Sequence, residues 1–307
     1  MTKISVVIPV LNESSLIIEL ISRVKLNLEK LTSDFEIIVI DDGSYDYTWN
    51  KIYNEAAVEK RIKGIKFSRN FGHHYAITAG LNRAKGDWVV VMDGDLQDRP
   101  EVIPDLYSKA LEGYDVVFVS RKNRPEKIYY RIAQKIFYVI LRFLSGINFD
   151  SSQANFSIIS SNVVNAFNKF PENARFYGST IKWLGFRRTQ IFADHGERLS
   201  GTPSYTLGRR VKLAFDIILS FSERPLKFAI GFGTALSATS LVIAIWIFYR
   251  TINLGFSVTG WPSIMLSIFF STGAILVVLG IIGIYIGRIF QEVKSRPLYI
   301  ISETTIE

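Results

Sequence analysis

Two long stretches without a charged side chain restrict what this chain can fold into. They lie in the C-terminal third, at Phe228–Tyr249 and Ile264–Gly287. As α-helices rising 1.5 Å per residue, each would extend roughly 33 Å or more, enough to cross a hydrocarbon core of about 30 Å. Soluble helices that are this long and apolar on every side are rare in a domain of this size. The sequence therefore predicts two transmembrane helices, at about 228–249 and 264–287.

Most of the positively charged residues near these two stretches lie before the first stretch or after the second. Those before the first and after the second are Arg209, Arg210, Lys212, Arg224, Lys227, Arg288, Lys294 and Arg296. The segment between the stretches carries only Arg250, close to the expected membrane edge. The positive-inside rule then predicts a multi-pass protein of the inner (plasma) membrane with both termini in the cytoplasm. Because the basic residues collect near the membrane lipids and not on an aromatic-lined face, a nucleic-acid partner is not expected.

The N-terminal two thirds alternate two kinds of pattern. Ser14–Leu31 has apolar residues at intervals of three and four, as in an amphipathic helix. Short continuous Val/Ile-rich runs are typical of parallel strands covered on both faces. These runs are Ile4–Val10, Phe35–Ser44, Ile62–Asn70, Asp87–Asp95 and Tyr114–Arg121. The alternation predicts a doubly wound α/β domain over residues 1–206, with ligands bound beyond the carboxyl ends of the strands.

Three further segments surround these parts. Residues 207–227 mix basic and apolar side chains and predict an amphipathic helix in the headgroup layer, broken by Pro225 before the first span. Glu126–Gly146 is a second apolar helix interrupted by basic residues, and it fits a core helix on the sheet as well as it fits membrane contact. Residues 288–307 are predicted to be a cytoplasmic tail, loosely ordered after Pro297.

Acidic and amide side chains follow several of the predicted strands. Asn12 and Glu13 follow the first strand, Asp41 and Asp42 the second, and Asp93 and Asp95 the fourth, while Arg121 ends the fifth. One such group alone is as well explained by a turn or a helix cap. Two carboxylates at i and i+2, separated by a glycine, can turn toward one point, and oxygen ligands suit Mg²⁺ or Mn²⁺. The chain has no cysteine, so a thiolate site is excluded.

Four motifs together resemble the polyprenyl-phosphate glycosyltransferases of glycosyltransferase family 2, which are related to dolichol-phosphate mannose synthase. The motifs are "VVIPVLNE", "VIDDGS", "SRNFGHHYAITAGLNRAKGDWVVVMDGDLQDRPE" and "FSERPLK". The similarity runs through nearly the whole chain and includes the paired C-terminal spans of the bacterial membrane-anchored branch. It implies a GT-A fold, a nucleotide-sugar donor and a polyprenyl phosphate acceptor such as undecaprenyl phosphate.

The resemblance also implies roles for individual residues. Donor-binding positions match Pro9, Glu13 and Asp42, beside Asn12 and Asp41 at the same strand ends. Asp93, Asp95 and Gln97 match the metal and diphosphate site. Arg121, Arg131 and Arg198 match positions near the donor or acceptor phosphates, and Arg198 lies in "RLSGTPSY", which is similar to an acceptor loop of the family.

The chain departs from the family pattern at three places. Ser157 in "ANFSIIS" replaces an arginine, "RFYGS" (Arg175–Ser179) replaces Phe-Leu-Arg-Gly, and Ser204 replaces the lysine of the acceptor loop. Because these positions face sugar or acceptor in the family, the glucose or mannose of its well-known members should not be assumed here. We hypothesise an unusual sugar, such as an amino or deoxy sugar of a surface polysaccharide like lipopolysaccharide or O-antigen.

Three functions compete at this stage. The first is inverting transfer of a sugar to polyprenyl phosphate, which is anionic and needs no strong general base. The second is transfer to another lipid or to a growing polysaccharide. The third is a non-catalytic membrane scaffold that binds nucleotide sugars, which the intact Asp93, Asp95 and Gln97 disfavour. A homo-oligomer is expected from the family and from Gly231, Gly233, Gly280 and Gly283, although small residues serve packing within one chain equally well.

Two further features lie near the predicted donor pocket. His73 and His74 invite a metal assignment, but neighbouring side chains at a helix start point in different directions, so His73 is expected to fasten the turn beneath the pocket. Tyr45, Tyr47 and Trp49 are candidates to stack on the nucleotide base, although burial of an aromatic face is the commoner use.

Overall fold

The computed structural model describes residues 2–121, 153–170, 176–193, 224–254 and 260–306. These residues form two compact units. The first contains the described residues up to 121, those between 153 and 193, and those from 296 onward. The second contains the described residues between 224 and 295.

The first unit is built on one mixed sheet. Its strands are β1 (Ile4–Val10), β2 (Phe35–Asp41), β3 (Ile62–Phe67), β4 (Trp88–Val91), β5 (Val116–Arg121), β6 (Gln153–Ser160), β7 (Arg188–Ala193) and β8 (Ile301–Thr304). Within the described residues their order across the sheet is β7-β5-β6-β4-β1-β2-β3-β8. Strand β1 pairs in parallel with β2 and β4, and β2 pairs in parallel with β3. Strand β6 runs antiparallel between β4 and β5, so β5 still points the same way as β1.

The five strands predicted from Val/Ile-rich runs are confirmed, with shorter ends. Every residue of β1 and β2 is buried, as expected for strands covered on both faces. Strand β2 ends at Asp41 and not at Ser44, because the backbone N–H of Ser44 turns back to donate to Asp41 Oδ1 over 2.8 Å. The polar ends of the runs therefore leave the sheet and form the loops of its carboxyl edge.

Helices cover both faces of this sheet. They are α1 (Ile17–Glu29), α2 (Thr48–Val58), α3 (His73–Arg83), α4 (Ile103–Ala110, after a 3₁₀ turn at Pro100–Val102), α5 (Ser161–Asn168) and α6 (Tyr177–Trp183). Helix α1 buries the residues predicted from its periodicity, and it begins at Ile17 because the Glu13 carbonyl accepts the N–H groups of Leu16 and Ile17. In β1, Val6 and Ile8 face one apolar layer, whereas Val7 faces the other. This alternation explains why the strand is apolar throughout.

The C-terminal tail is part of the sheet, so the prediction of loose order after Pro297 is wrong. Strand β8 pairs antiparallel with β3. The Tyr299 ring stacks on Phe67 with centroids 4.9 Å apart, and Trp49 Nε1 donates to Glu303 Oε2 over 2.8 Å. The backbone of β8 pairs with an edge that would otherwise leave the polar backbone groups of β3 unpaired.

The second unit contains α7 (Arg224–Leu254) and α8 (Trp261–Val293), which pack against each other. Both predicted apolar stretches lie inside these helices. By length and composition, each helix has a window that suits a membrane span, at Leu226–Ile243 and Ser267–Val293. The end of the predicted amphipathic segment 207–227 is the first turn of α7, where Pro225 is tolerated because its position needs no N–H donor. The remainder of that segment and Glu126–Gly146 lie outside the described residues.

Candidate active site

The loops after β1, β2 and β4 meet at the carboxyl edge of the sheet, as predicted. Strand β1 lies between β2 and β4. The backbone N–H of Asp42 donates to the Val10 carbonyl over 2.9 Å, which joins the ends of β1 and β2. On the other side, a Cβ added to Gly94 would lie 2.6 Å from Val10 Cγ1 and 3.1 Å from the Pro9 carbonyl oxygen. The predicted residues Pro9, Asp42 and Asp93 therefore share one small region.

Asn12 connects the β1 loop to the loop after β2. Its backbone is left-handed, with a φ of 57°, a conformation that asparagine adopts more readily than most residues. Its N–H donates to Ser44 Oγ over 2.8 Å, and its side-chain oxygen accepts the Tyr45 N–H over 3.1 Å. The N–H of Glu13 donates to Thr48 Oγ1 over 2.9 Å. These bonds set the shape of the loop, and donor binding by Asn12 and Glu13 stays a prediction.

Asp41 lies fully inside the turn after β2. Its Oδ1 accepts the N–H of Ser44, and Oδ2 has no hydrogen-bond partner in the part of the chain that the structure describes. Burial raises the pKa of Asp41, although Ser44 and the positive charge of Lys66 oppose the shift. The structure therefore gives Asp41 a place under the loop surface, and its direct contact with a donor stays a prediction.

Asp42 holds the start of α3. Its carboxylate accepts the N–H of Phe71 over 2.8 Å and the N–H of Gly72 over 3.0 Å. Burial raises the pKa of Asp42, and these backbone bonds oppose the shift because they favour the charged form. The residue is 4% exposed, so it links the β2 loop to the turn that leads into α3. Its contact with the nucleotide-sugar donor stays a prediction.

Asp93 and Asp95 lie in the loop directly after β4. Asp95 Oδ1 accepts the backbone N–H of Gln97 over 3.1 Å, and Leu96 between them has a φ of 58°. The Asp93 side chain is 31% exposed. Carboxylate and amide oxygens are hard donors, so this set fits Mg²⁺ or Mn²⁺. Among the described residues no group of three or more His, Asp or Glu side chains is arranged to hold a metal ion.

The sequence did not reveal that His73 contacts the acidic pair. His73 Nε2 lies 3.2 Å from Asp93 Oδ1 and 3.2 Å from the Asn155 side-chain nitrogen. Burial alone lowers the pKa of His73, but the carboxylates of Asp93, Asp42 and Asp95 outweigh it and raise the pKa above its ordinary value. Only the sheet order, which places the start of α3 beside the end of β4, brings these residues together.

His74 has a different environment from His73, as expected for neighbours at a helix start. Its ring lies edge-on to Phe176, with centroids 5.4 Å apart. Burial, together with the nearby charge of His73, lowers the pKa of His74 to about 3, so the ring is neutral at physiological pH. His74 is therefore a packing residue.

Arg121 ends β5, two strands away from β4, and its backbone pairs with Ala193 of β7. Because β5 points the same way as β4, Arg121 lies at the same edge of the sheet as the acidic loops. Arg131, Arg198 and Ser204 lie outside the described residues. The prediction that these four residues lie beside the phosphates of the donor or acceptor is not tested by the described structure and stays a prediction.

Several of the aromatic and departure positions, including Tyr177 and Ser179 of RFYGS, prove to be in the protein interior. Trp49 is 5% exposed and bonds to Glu303, so it does not stack on a base, whereas Tyr45 and Tyr47 are exposed. Ser157 is fully buried, with Oγ 2.7 Å from the Tyr177 hydroxyl. The expectation that Ser157 faces sugar or acceptor is therefore wrong in this chain, because Tyr177 covers it.

The sheet, its acidic carboxyl edge and the helices on both faces define a GT-A-type α/β glycosyltransferase fold. Residues 5–213 match the family described as Glycosyl transferase family 2, and the chain belongs to this family. The family prediction is thus confirmed. The same fold occurs in glucosyl-3-phosphoglycerate synthase from Mycobacterium tuberculosis, crystallised with Mn²⁺ and UDP, at a TM-score of 0.52 and 22% identity over 72% of this chain and 80% of that one.

Two curated relatives match the chain almost from end to end. A prophage-derived bactoprenol glucosyl transferase of Shigella flexneri is 34% identical, over 98% of each chain. An undecaprenyl-phosphate 4-deoxy-4-formamido-L-arabinose transferase of Aeromonas hydrophila is 31% identical, over 98% of this chain and 93% of its own. The similarity therefore covers both units and not the sheet alone.

Proposed function

We propose that this family 2 enzyme transfers a sugar from a nucleotide-sugar donor to a polyprenyl phosphate, such as undecaprenyl phosphate, on the cytoplasmic face of the inner membrane. The observation that carries the proposal is the end-to-end similarity to relatives whose names specify undecaprenyl phosphate or bactoprenol. An acceptor with a long lipid tail also agrees with the two helices that are long and apolar enough to cross a membrane.

The donor would bind across the ends of β1, β2 and β4. Asp42, Asn12 and Glu13 border the side of the nucleotide base, and Asp93, Asp95 and Gln97 border the diphosphate. A divalent cation held by the latter group, Mg²⁺ or Mn²⁺, supplies charge neutralisation of the leaving diphosphate. Gly94 packs closely on Val10 and the N–H of Gln97 donates to Asp95, so the loop lies against the end of β1.

The acceptor chemistry favours a single displacement with inversion. A phosphate monoester is anionic at neutral pH, so its oxygen can attack the anomeric carbon without losing a proton to a strong base. The protein then has to position two anionic substrates and stabilise the leaving group. Arg121, Arg131 and Arg198, with Ser204 in the acceptor loop, are the residues we assign to these phosphates.

The two helices would span the membrane and place the acceptor's head near the enzyme. Their flanking charges favour a cytoplasmic catalytic unit. Small residues on these helices agree with a homo-oligomer, since a Cβ added to Gly231, Gly233, Gly280 or Gly283 would meet no described atom within 4 Å. Such open positions let a second helix approach closely.

The test is lipid labelling by the detergent-purified protein. The mixture contains Mg²⁺ or Mn²⁺, undecaprenyl phosphate and one radiolabelled nucleotide sugar from a panel, and the label extracted into the organic phase is counted. Asp95→Asn should abolish the labelled lipid. The matched control is Asp105→Asn, an exposed aspartate on α4, which should label lipid at the wild-type rate.

The outcomes separate the competing functions and name the sugar. Labelled lipid that depends on Asp95 supports the proposal. If every donor leaves the organic phase unlabelled while UDP or GDP still binds, the acceptor is a different one or the protein is a scaffold. Equal turnover of UDP-glucose and all other donors would contradict the hypothesis of an unusual sugar, which the buried position of Ser157 already leaves with less support.

A further inference from the structure

The start of α3 lies between two carboxylates that are far apart in the sequence. On one side Asp42 accepts the N–H groups of Phe71 and Gly72. On the other side the next residue, His73, approaches Asp93 to 3.2 Å. Residues 71–73 therefore connect the end of β2 with the end of β4 without passing through β1.

Asp93 lies in a loop whose geometry is set by a few unusual backbone positions. It is followed by Gly94 and by Leu96 with positive φ, so the local backbone turns sharply. Its side chain is partly exposed and leaves a short strand. A carboxylate that helps hold a cation must keep one orientation, and misplacement by about 1 Å can cost on the order of 100-fold in rate.

We propose that His73 is a positioning residue for Asp93: its Nε2 holds the Asp93 carboxylate in the orientation that the cation and the donor diphosphate require. The inference rests on the proposed function for the identity of the donor. Groups that orient a metal-binding side chain typically change metal affinity or activity by 10- to 100-fold when they are removed. The Asn155 side-chain nitrogen lies 3.2 Å from the same ring nitrogen. Because a ring nitrogen that donates to Asp93 cannot also accept from this amide, Asn155 contributes packing beside the imidazole and not a second hydrogen bond.

A purely structural role is the competing explanation. An acidic side chain near a helix N-terminus stabilises that helix, and the His73–Asp93 contact lies at the start of α3. If this were its whole purpose, loss of His73 would lower the melting temperature and leave binding of the cation unchanged. The experiment must therefore measure cation binding and stability separately.

The test uses four variants of the full chain in detergent. His73→Leu removes the contact. His73→Gln places an amide N–H near the position of Nε2, whereas His73→Asn carries the same amide on a side chain one methylene shorter. His74→Phe is the matched control, because the neighbouring ring is half-buried, neutral and packed on Phe176. Mn²⁺ binding with UDP or GDP is followed by electron paramagnetic resonance, without any lipid acceptor.

We expect His73→Leu to weaken Mn²⁺ binding in the nucleotide complex by roughly 10-fold or more, with His73→Gln within about 3-fold of wild type. His74→Phe should bind as wild type. If His73→Leu does not fold, the difference between His73→Gln and His73→Asn decides. Equal binding by these two variants, or wild-type binding by His73→Leu, would overturn the inference. Failure of the wild-type protein to bind Mn²⁺ in the presence of UDP and in the presence of GDP would also overturn it.

The same measurement separates this inference from the proposed function. Because no lipid is present, the result does not depend on the acceptor. A protein that labels no polyprenyl phosphate but loses Mn²⁺ binding in His73→Leu would refute the proposed acceptor and support the role of His73.

Discussion

Gly94 shows how one missing side chain sets the geometry of the acidic loop. A Cβ at this position would lie 2.6 Å from Val10 Cγ1, closer than real Cβ contacts, and Val10 is fixed in the core. Gly94→Ala should move Asp93 and Asp95 away from their positions beside the end of β1 and reduce sugar transfer at least 10-fold. The overpacking should also cost about 1–3 kcal/mol of stability.

The control for this substitution is Gly273→Ala in α8, where the added methyl group would meet no described atom within 4 Å. Transfer rates and melting temperatures of both variants are compared with wild type. Full activity in Gly94→Ala would show that the loop tolerates displacement and that its tight packing has no catalytic value.

Glu36 provides a pH-dependent contribution to stability at the opposite edge of the sheet. It is buried, accepts Ser5 Oγ and the Lys85 N–H over 2.7 Å each, and pairs with Lys63. Burial raises its pKa, but the bonds from Lys63, Ser5 and Lys85 outweigh burial and lower it below the ordinary 4.5. The stabilisation is therefore complete above about pH 4.5 and is lost as the pH falls through the lowered pKa.

Glu36→Gln should be less stable than wild type by roughly 1–3 kcal/mol at pH 6. The difference should stay constant from pH 6 to about 4.5 and shrink as the pH falls further, because only the wild type loses a charge that the fold stabilises. Melting temperatures of wild type and Glu36→Gln, measured across this pH range, check the prediction. Glu112→Gln is the control, since its ion pair with Lys109 is on the surface and contributes little. Parallel curves for wild type and Glu36→Gln would refute the prediction.

At the scale of elements, the sequence predicted the strands with Val/Ile-rich patterns, but it did not predict which distant segments pair with or contact them. Strands β1, β2, β4 and β5 are Val/Ile-rich runs, which is the pattern that burial on both faces imposes, whereas β3 carries two half-buried lysines. Strand β8 is a short segment of the tail that pairs with the edge of β3. No pattern in its own sequence indicates this pairing. The contact of His73 with Asp93 is equally non-local, because it follows from the strand order.

Removal of residues 298–307 should uncover the edge of β3 and lower the melting temperature. The N–H of Ser68 donates to the Ile300 carbonyl over 3.0 Å, and the N–H of Gly64 donates to Thr305 Oγ1 over 2.8 Å. Both amides should exchange hydrogen faster in the truncated chain, as measured by mass spectrometry on peptides covering 62–70. Peptides covering 188–193, from β7 at the far edge, serve as the internal control. Unchanged exchange at β3 would mean that β8 does not pair there in solution.

At the scale of the whole molecule, the charges near α7 and α8 determine the proposed orientation in the membrane. Arg224 and Lys227 begin α7, and Arg288 and Lys294 end α8, whereas Arg250 is the one charged residue between the two apolar stretches. Since cytoplasmic loops retain positive charge, both ends of the helix pair should lie on the cytoplasmic side. An active unit on that side has access to nucleotide sugars.

The lack of cysteine makes this orientation directly measurable. Val58→Cys places a thiol at an exposed position at the end of α2, and Ser257→Cys places one between α7 and α8. A membrane-impermeant maleimide should label only Ser257→Cys in intact spheroplasts and only Val58→Cys in inside-out vesicles, with both labelled after detergent treatment. Labelling of Val58→Cys from outside would reverse the proposed orientation. Labelling of both positions from the same side would mean that the helices lie on the membrane without crossing it, and the acceptor would then have to be reached from the surface of one leaflet.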